Sequence, residues 1–262
     1  MQNISYNDSG DGYPIILLHG FCESKNLWEV FVAMLSIKYR VISIDLPGFG
    51  QSKMLDSSEP SIELFSESVF SLLKELEIQE CIMIGHSFGG YVTLSFAESH
   101  PEMLGGFSLF HSTSYEDSTQ KKENRDKAVN FIQNHGTEKF VTNLFPALFS
   151  SKNTNKYKKQ IEYFIRDASQ TPEEAVIFTT KAMKNRPDRR HVLKEATCPV
   201  FFIVGKDDAS LPLQQSLEES SLPKESLVFI LENVGHMGMI EATQKCILQA
   251  GYFIEYCLNK KR

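Results

Sequence analysis

A serine set between two glycines, Gly85-His86-Ser87-Phe88-Gly89, follows directly on the apolar run Cys81, Ile82, Met83, Ile84. That spacing suits a sharp turn from a strand into a helix, which pushes one hydroxyl out at the tip of a sheet. The turn strains the backbone and brings neighbouring chains too close for a β-carbon, hence the glycines. The helix expected over 91–99 points its N-terminus at Ser87, where its partial positive charge favours a developing oxyanion. A hydroxyl is a poor nucleophile until a base removes its proton during attack. The usual base is a histidine oriented by a carboxylate. Both types lie downstream: Asp207 and Asp208 within 205–212, and His236 after Asn233, Val234 and Gly235. In strand-to-helix settings of this kind the chain order is serine, acid, histidine. Together these residues could carry acyl transfer through a serine-bound intermediate.

Such side chains meet only if the elements carrying them end at one place. Residues 14–18 and 40–44 read as buried strands, with Leu27, Val30, Phe31, Met34 and Leu35 at helical spacing between them. Ile62, Phe65, Val69, Leu72, Leu73 and Leu76 then repeat by threes and fours, an amphipathic helix delivering the chain to the strand before Ser87. Further strands fit 106–110, 199–204 and 227–231, and a last amphipathic helix runs through Ile247, Phe253 and Ile254. Alternation of this kind predicts an α/β fold, a mostly parallel twisted sheet with helices on both faces. Adjacent parallel strands end at one edge, so the loops at 205–212 and 233–236 can converge on Ser87. Residues 112–196 break the rhythm: they are charged, helical in period and without a strong strand. Thr171-Pro172-Glu173-Glu174 there reads as a helix start, with Thr171 as N-cap. The expected organisation is one core, 1–111 with 197–262, and a helical cap inserted at 112–196.

Composition narrows the function classes. An apolar share of 42% over 262 residues is enough for a sizeable core, and no apolar run reaches the length of a membrane span. Residues 1–10 lack the basic and apolar regions of a secretory leader. Cys22, Cys81, Cys198, Cys246 and Cys257 are scattered and odd in number. That pattern favours free thiols, and a soluble cytoplasmic protein is the expectation. Neither H-E-x-x-H nor paired Cys/His spacing occurs, so no metal is expected. The loop around Gly48 lacks the lysine and glycine spacing of a phosphate loop, and no cofactor is implied. The net charge of −6 argues against nucleic-acid binding. It is unevenly spread: 112–196 holds 16 Lys or Arg against 11 Asp or Glu, a net +5. Lys121, Lys122, Lys156, Lys158 and Lys159 read first as solvated helix faces, and alternatively as attraction for an anionic substrate or an acidic partner.

Several motifs in order give the chain its resemblance to the α/β-hydrolase superfamily. They are His19-Gly20-Phe21, the run from Asp45 through Pro47, Gly48, Phe49 and Gly50 to Ser52, the turn at Ser87, His100-Pro101, the 205–212 segment, and Gly235-His236. The resemblance covers about two-thirds of the chain and matches members with a helical cap. It implies Ser87 as nucleophile, His236 as base and then acid, and Asp208 as the acid, since the family places that carboxylate three residues after the glycine and four before the proline. Asp207 or Asp208 could instead cap the helix starting near Pro212. The backbone N–H groups of Phe21 and Phe88 would form the oxyanion hole. Serine at 87, where an aspartate would stand, argues against the epoxide-hydrolase and haloalkane-dehalogenase branches.

Other residues receive lesser roles. His19 is expected to brace its loop and His86 to be structural, while His111, at a strand end on the active edge, could touch substrate or simply wall the pocket. Cys22 lacks a base. His100, His135 and His191 have no assignable role. The cap aromatics Phe131, Phe140, Phe145, Phe149, Tyr157, Tyr163, Phe164 and Phe178 could line an acyl pocket, though most such stripes are core. The expected partner is a small-molecule acyl compound, anionic or carrier-bound, with an ester, thioester or lactone cleaved. Carbon–carbon bond hydrolysis, perhydrolysis and a slow-turnover ligand receptor are the alternatives.

Overall fold

A computed structural model describes residues 4–260; the first three residues of the segment read above for a leader lie outside it. Seven strands form one sheet: β1 (Tyr6–Ser9), β2 (Pro14–Leu18), β3 (Arg40–Ile44), β4 (Cys81–His86), β5 (Leu104–Phe110), β6 (Val200–Gly205) and β7 (Ser226–Leu231). Their spatial order is β1-β3-β2-β4-β5-β6-β7, and every pair is parallel except β1 with β3. The sequence shows no sign of β1, because Tyr6–Ser9 is polar and lies at an edge. The inner strands β4, β5 and β6 are buried along their whole length. Helices cover both faces, so these strands read as unbroken apolar runs rather than alternations. Val228 and Ile230 of the edge strand β7 stay exposed.

The helices are α1 (Glu29–Leu35), α2 (Ile62–Glu75), α3 (Phe88–Ser99), α4 (Thr119–Leu148), α5 (Lys158–Ala168), α6 (Glu173–Asn185), α7 (Arg190–Glu195), α8 (Leu213–Ser220), α9 (Gly238–Glu241) and α10 (Thr243–Asn259). In α1 Phe31 and Leu35 are buried, in line with Leu27 of the turn before it, while Val30 and Met34 face solvent. In α2 the inward face is Ile62, Phe65, Val69, Leu72 and Leu73, packed on α3. The helix predicted at Thr171 begins one residue later. Pro172 stands at the N-cap, its carbonyl accepts from Ala175 and Val176 N–H, and no side chain caps the end.

Between β5 and β6 the chain forms α4 to α7. Gly136 interrupts α4 at φ 81° and ψ 167°, a region only glycine enters freely. No atom lies within 4 Å of where its β-carbon would be, so the break uses backbone freedom and not close packing. Arg189 ties the start of α7 to Glu98 of α3 (2.9 Å) and to Glu63 of α2.

Candidate active site

The chain passes from β2 outward to β3 and then crosses back to β4 on the other side. Open parallel sheets leave a crevice at such a reversal, outside the carboxyl ends of the strands. Residues 19–21 leave β2 at this point and Ser87 leaves β4 beside them. Ser87 sits at φ 50° and ψ −112°, a strained conformation for a residue with a side chain. Its N–H donates to the Phe110 carbonyl (3.0 Å) and its carbonyl accepts from Ser112 Oγ (2.7 Å), which hold the turn from both sides. A β-carbon on Gly89 would stand 2.6 Å from the carbonyl oxygens of Leu18 and His19. Only glycine lets α3 approach β2 this closely.

His236 Nε2 lies 2.8 Å from Ser87 Oγ, and His236 Nδ1 lies 2.7 Å from Asp208 Oδ2. Nδ1 thus carries the proton toward the carboxylate and Nε2 is left to face the serine hydroxyl. Burial pushes the imidazolium down, but the Asp208 charge and hydrogen bond outweigh it and raise His236 above the usual histidine value. Burial likewise disfavours the Asp208 carboxylate. The charges and hydrogen bonds of His236 and His111 overcome it and hold Asp208 far below the usual range. Asp208 Oδ1 also accepts from the N–H groups of Ser210 (2.8 Å) and Leu211 (3.2 Å), so one carboxylate both faces the histidine and shapes the turn before α8. Asp207 points elsewhere, onto Ser150 Oγ (2.7 Å) and Lys152 Nζ (3.1 Å). Among the described residues, the N–H groups of Phe21 and Phe88 have no hydrogen-bond acceptor.

The other histidines brace these loops. His19 Nδ1 donates to the Gly20 carbonyl (2.7 Å) and its Nε2 accepts from Leu46 N–H (2.9 Å). His86 Nε2 donates to the His236 carbonyl (3.0 Å), and its Nδ1 pairs with Glu23 Oε2 (2.9 Å). Glu23 in turn accepts from Gly20 N–H (2.6 Å), so one buried carboxylate joins the turn after β2, the serine turn and the histidine loop. Burial would raise the Glu23 carboxyl, and the adjacent His86 and His19 bring it below its usual value. Sequence reasoning passed over Glu23, since a lone acid beside Cys22 carries no pattern. His111 does not reach the cavity. It packs behind Asp208, with Nδ1 3.5 Å from Oδ2 and Nε2 accepting from Gly238 N–H (3.2 Å). Burial, only partly offset by Asp208, pushes it down to about 4. The Cys22 thiol is buried and raised well above its usual value, as suits an inert side chain.

A cavity of about 310 Å³ opens over Ser87 and His236, walled by Phe21, Tyr91, Leu144, Leu148 and Met183 among others. That volume suits a small molecule. None of the eight aromatics named above from 112–196 lines it. Phe145 stacks on Phe164 and Phe178 packs on Phe65, so they form the interior of the helical segment and its seam with the core. The cluster His111, Asp208 and His236 brings three ligand-type atoms together. Its hydrogen bonds to Ser87 and Gly238 already engage both imidazoles, which suits proton transfer better than metal ligation.

A family model described as alpha/beta hydrolase fold matches residues 13–243. The 2-hydroxy-6-oxononadienedioate/2-hydroxy-6-oxononatrienedioate hydrolase of Paraburkholderia phymatum is 27% identical over 243 residues, 82% of this chain and 77% of that protein. The pimeloyl-[acyl-carrier protein] methyl ester esterase of Aeromonas hydrophila is 37% identical over 103 residues, 39% of each chain. Among solved structures, a thermophilic esterase from Thermogutta terrifontis, with malate bound, superposes with a TM-score of 0.92 at 25% identity. The match spans 97% of this chain and 93% of that one.

Proposed function

Because this chain belongs to the alpha/beta hydrolase fold family, we propose that it is a serine hydrolase cleaving an ester, thioester or lactone of a small carboxylic acid. The observation that carries the reading is the unbroken line Ser87 Oγ, His236, Asp208, with contacts of 2.8 and 2.7 Å, opening into a cavity of about 310 Å³. Ser87 attacks the acyl carbon while His236 Nε2 takes its proton. Asp208 keeps the imidazole in the required tautomer and stabilises the imidazolium that forms. The negative oxygen is received by the N–H groups of Phe21 and Phe88 and by the N-terminus of α3. His236 then protonates the leaving group, and a water activated by the same nitrogen releases the acid and restores Ser87. Residues 112–196 act as the cap that encloses the substrate.

The test is turnover of p-nitrophenyl esters of increasing chain length, wild type beside Ser87→Ala. The substitution is expected to lower kcat by about 10⁴-fold or more. Undiminished hydrolysis by Ser87→Ala would sink the mechanism. A second reading, carbon–carbon bond hydrolysis, draws on the relative named for 2-hydroxy-6-oxononadienedioate, which matches most of this chain. Turnover of that dienedioate with a kcat/KM above that of the best ester would transfer the assignment to it.

A further inference from the structure

Part of the basic charge of residues 112–196 lines the cavity over Ser87. Lys121, Asn124, Arg125 and Ala128 follow one another at the spacing of a single helix face, and that face of α4 forms a wall of the cavity over Ser87. Lys122 and Lys184 point outward and meet Glu116 and Asp126, each at 2.6 Å. Lys121 lines the cavity instead. Among the described residues no carboxylate lies within 4 Å of its Nζ, which reaches only the Ser210 carbonyl at 3.3 Å.

Arg125 is half-satisfied. Its Nε donates to Asp117 Oδ2 (3.0 Å), and its Nη atoms make no hydrogen bond among the described residues. The other Asp117 oxygen already faces Arg186 Nη1 at 2.8 Å. Arg186 is buried, lies 4.0 Å over the Tyr91 ring, and has Nε and Nη2 without an acceptor. One carboxylate therefore serves two guanidiniums, and Lys121 has none. The remaining acid on the cavity wall, Glu23, is committed to Gly20 and His86. A wall holding Lys121 Nζ and the Arg125 guanidinium, in the same cavity as Ser87 and the apolar Leu144 and Leu148, is complementary to a ligand with an apolar stretch and an anionic end.

We propose that the substrate carries a carboxylate besides the bond that is cleaved, and that Lys121 and Arg125 receive it. This rests on the hydrolase reading above and adds the substrate class, a carboxylate-bearing ester such as the half-ester of a short dicarboxylic acid. A cavity of about 310 Å³ suits a molecule of that size, and the proposal places the anion on the small molecule itself.

The experiment compares mono-p-nitrophenyl glutarate with its uncharged methyl ester, and 4-(butyryloxy)benzoate with phenyl butyrate, which places the charge on the acyl side or the leaving side. A charge-assisted contact should give at least one charged ester an advantage of about 10-fold or more in kcat/KM over its neutral partner. In Lys121→Met that ratio should fall by about 10-fold, and in Lys121→Arg it should stay within about threefold. Lys121 is partly exposed and lightly bonded, so both variants should fold. Ser87-dependent turnover with ratios at or below one, or a ratio untouched in Lys121→Met, overturns the proposal while leaving the hydrolase reading intact. If no ester is turned over, calorimetry on the Ser87→Ala protein decides the binding question alone. Glutarate half-ester binding about 10-fold tighter than the methylated form, lost with Lys121→Met, supports the carboxylate site, and equal binding removes it.

Discussion

His111 and His236 are the same residue type within one cluster, and their surroundings push them in opposite directions. His236 gains a carboxylate in full hydrogen-bond contact and is raised, while His111 meets the same carboxylate at 3.5 Å and is governed by burial. A consequence follows for stability. With His111 at about 4 in the folded protein and near the ordinary 6.5 when unfolded, the unfolded chain binds a proton between those values that the folded chain does not. Stability from this group is therefore whole above about pH 6.5 and lost as pH falls toward 4, amounting to about 3 kcal/mol. Denaturant titrations across that range should show a shallower decline for His111→Gln than for wild type. Parallel curves would mean that His111 titrates normally in the fold. Sequence separates the roles of these two histidines but not their titration, which turns on a difference of 0.8 Å in their distance to one carboxylate.

At the scale of elements, the strands and helices that carry chemistry were the most legible. The run from Cys81 into Ser87, and the glycines around it, predicted the strand, the turn and α3, and all three are present. The reason is local: a fully buried parallel strand is a continuous apolar run, and the turn admits few residue types. Gly89→Ala makes this testable, since its β-carbon would meet two carbonyl oxygens of the 18–19 segment at 2.6 Å. The expected cost is about 1–3 kcal/mol of stability. Displacing the serine turn by a fraction of an ångström should also lower kcat/KM by about 10²-fold. An active, fully stable Gly89→Ala protein would show that α3 can retreat from β2. Residues 112–196 were legible only as helical. Their aromatics read as core more than as pocket wall, but periodicity marks a buried face without saying what covers it.

The whole molecule brings the helical segment and the sheet into one site. The His236 N–H donates to the Leu148 carbonyl at the end of α4 (2.7 Å), and Glu241 accepts from Gly235 N–H (2.8 Å), Ser150 N–H (3.0 Å) and Asn153 Nδ2 (2.7 Å). The loop bearing His236 is thus hung partly from the helical segment. Glu241→Gln exchanges one of the accepting oxygens for a donor facing N–H groups. It should lower kcat about 10- to 100-fold with the fold retained by circular dichroism. Unchanged kcat would mean that the sheet alone holds His236. No described helix is long and apolar enough to cross a membrane, and the described cysteines carry no disulfide.

Ser87, the strand and helix either side of it, the order of the downstream acid and histidine, and the α/β class were all fixed by residue type and spacing, because each depends on neighbours along the chain. Tertiary structure alone decided that Glu23 joins three loops, and that Lys121 and Arg125 turn toward the cavity while Lys122 turns away. Those outcomes depend on residues dozens to hundreds of positions apart meeting at one sheet edge. Sequence spacing does not encode those distances, and packing does.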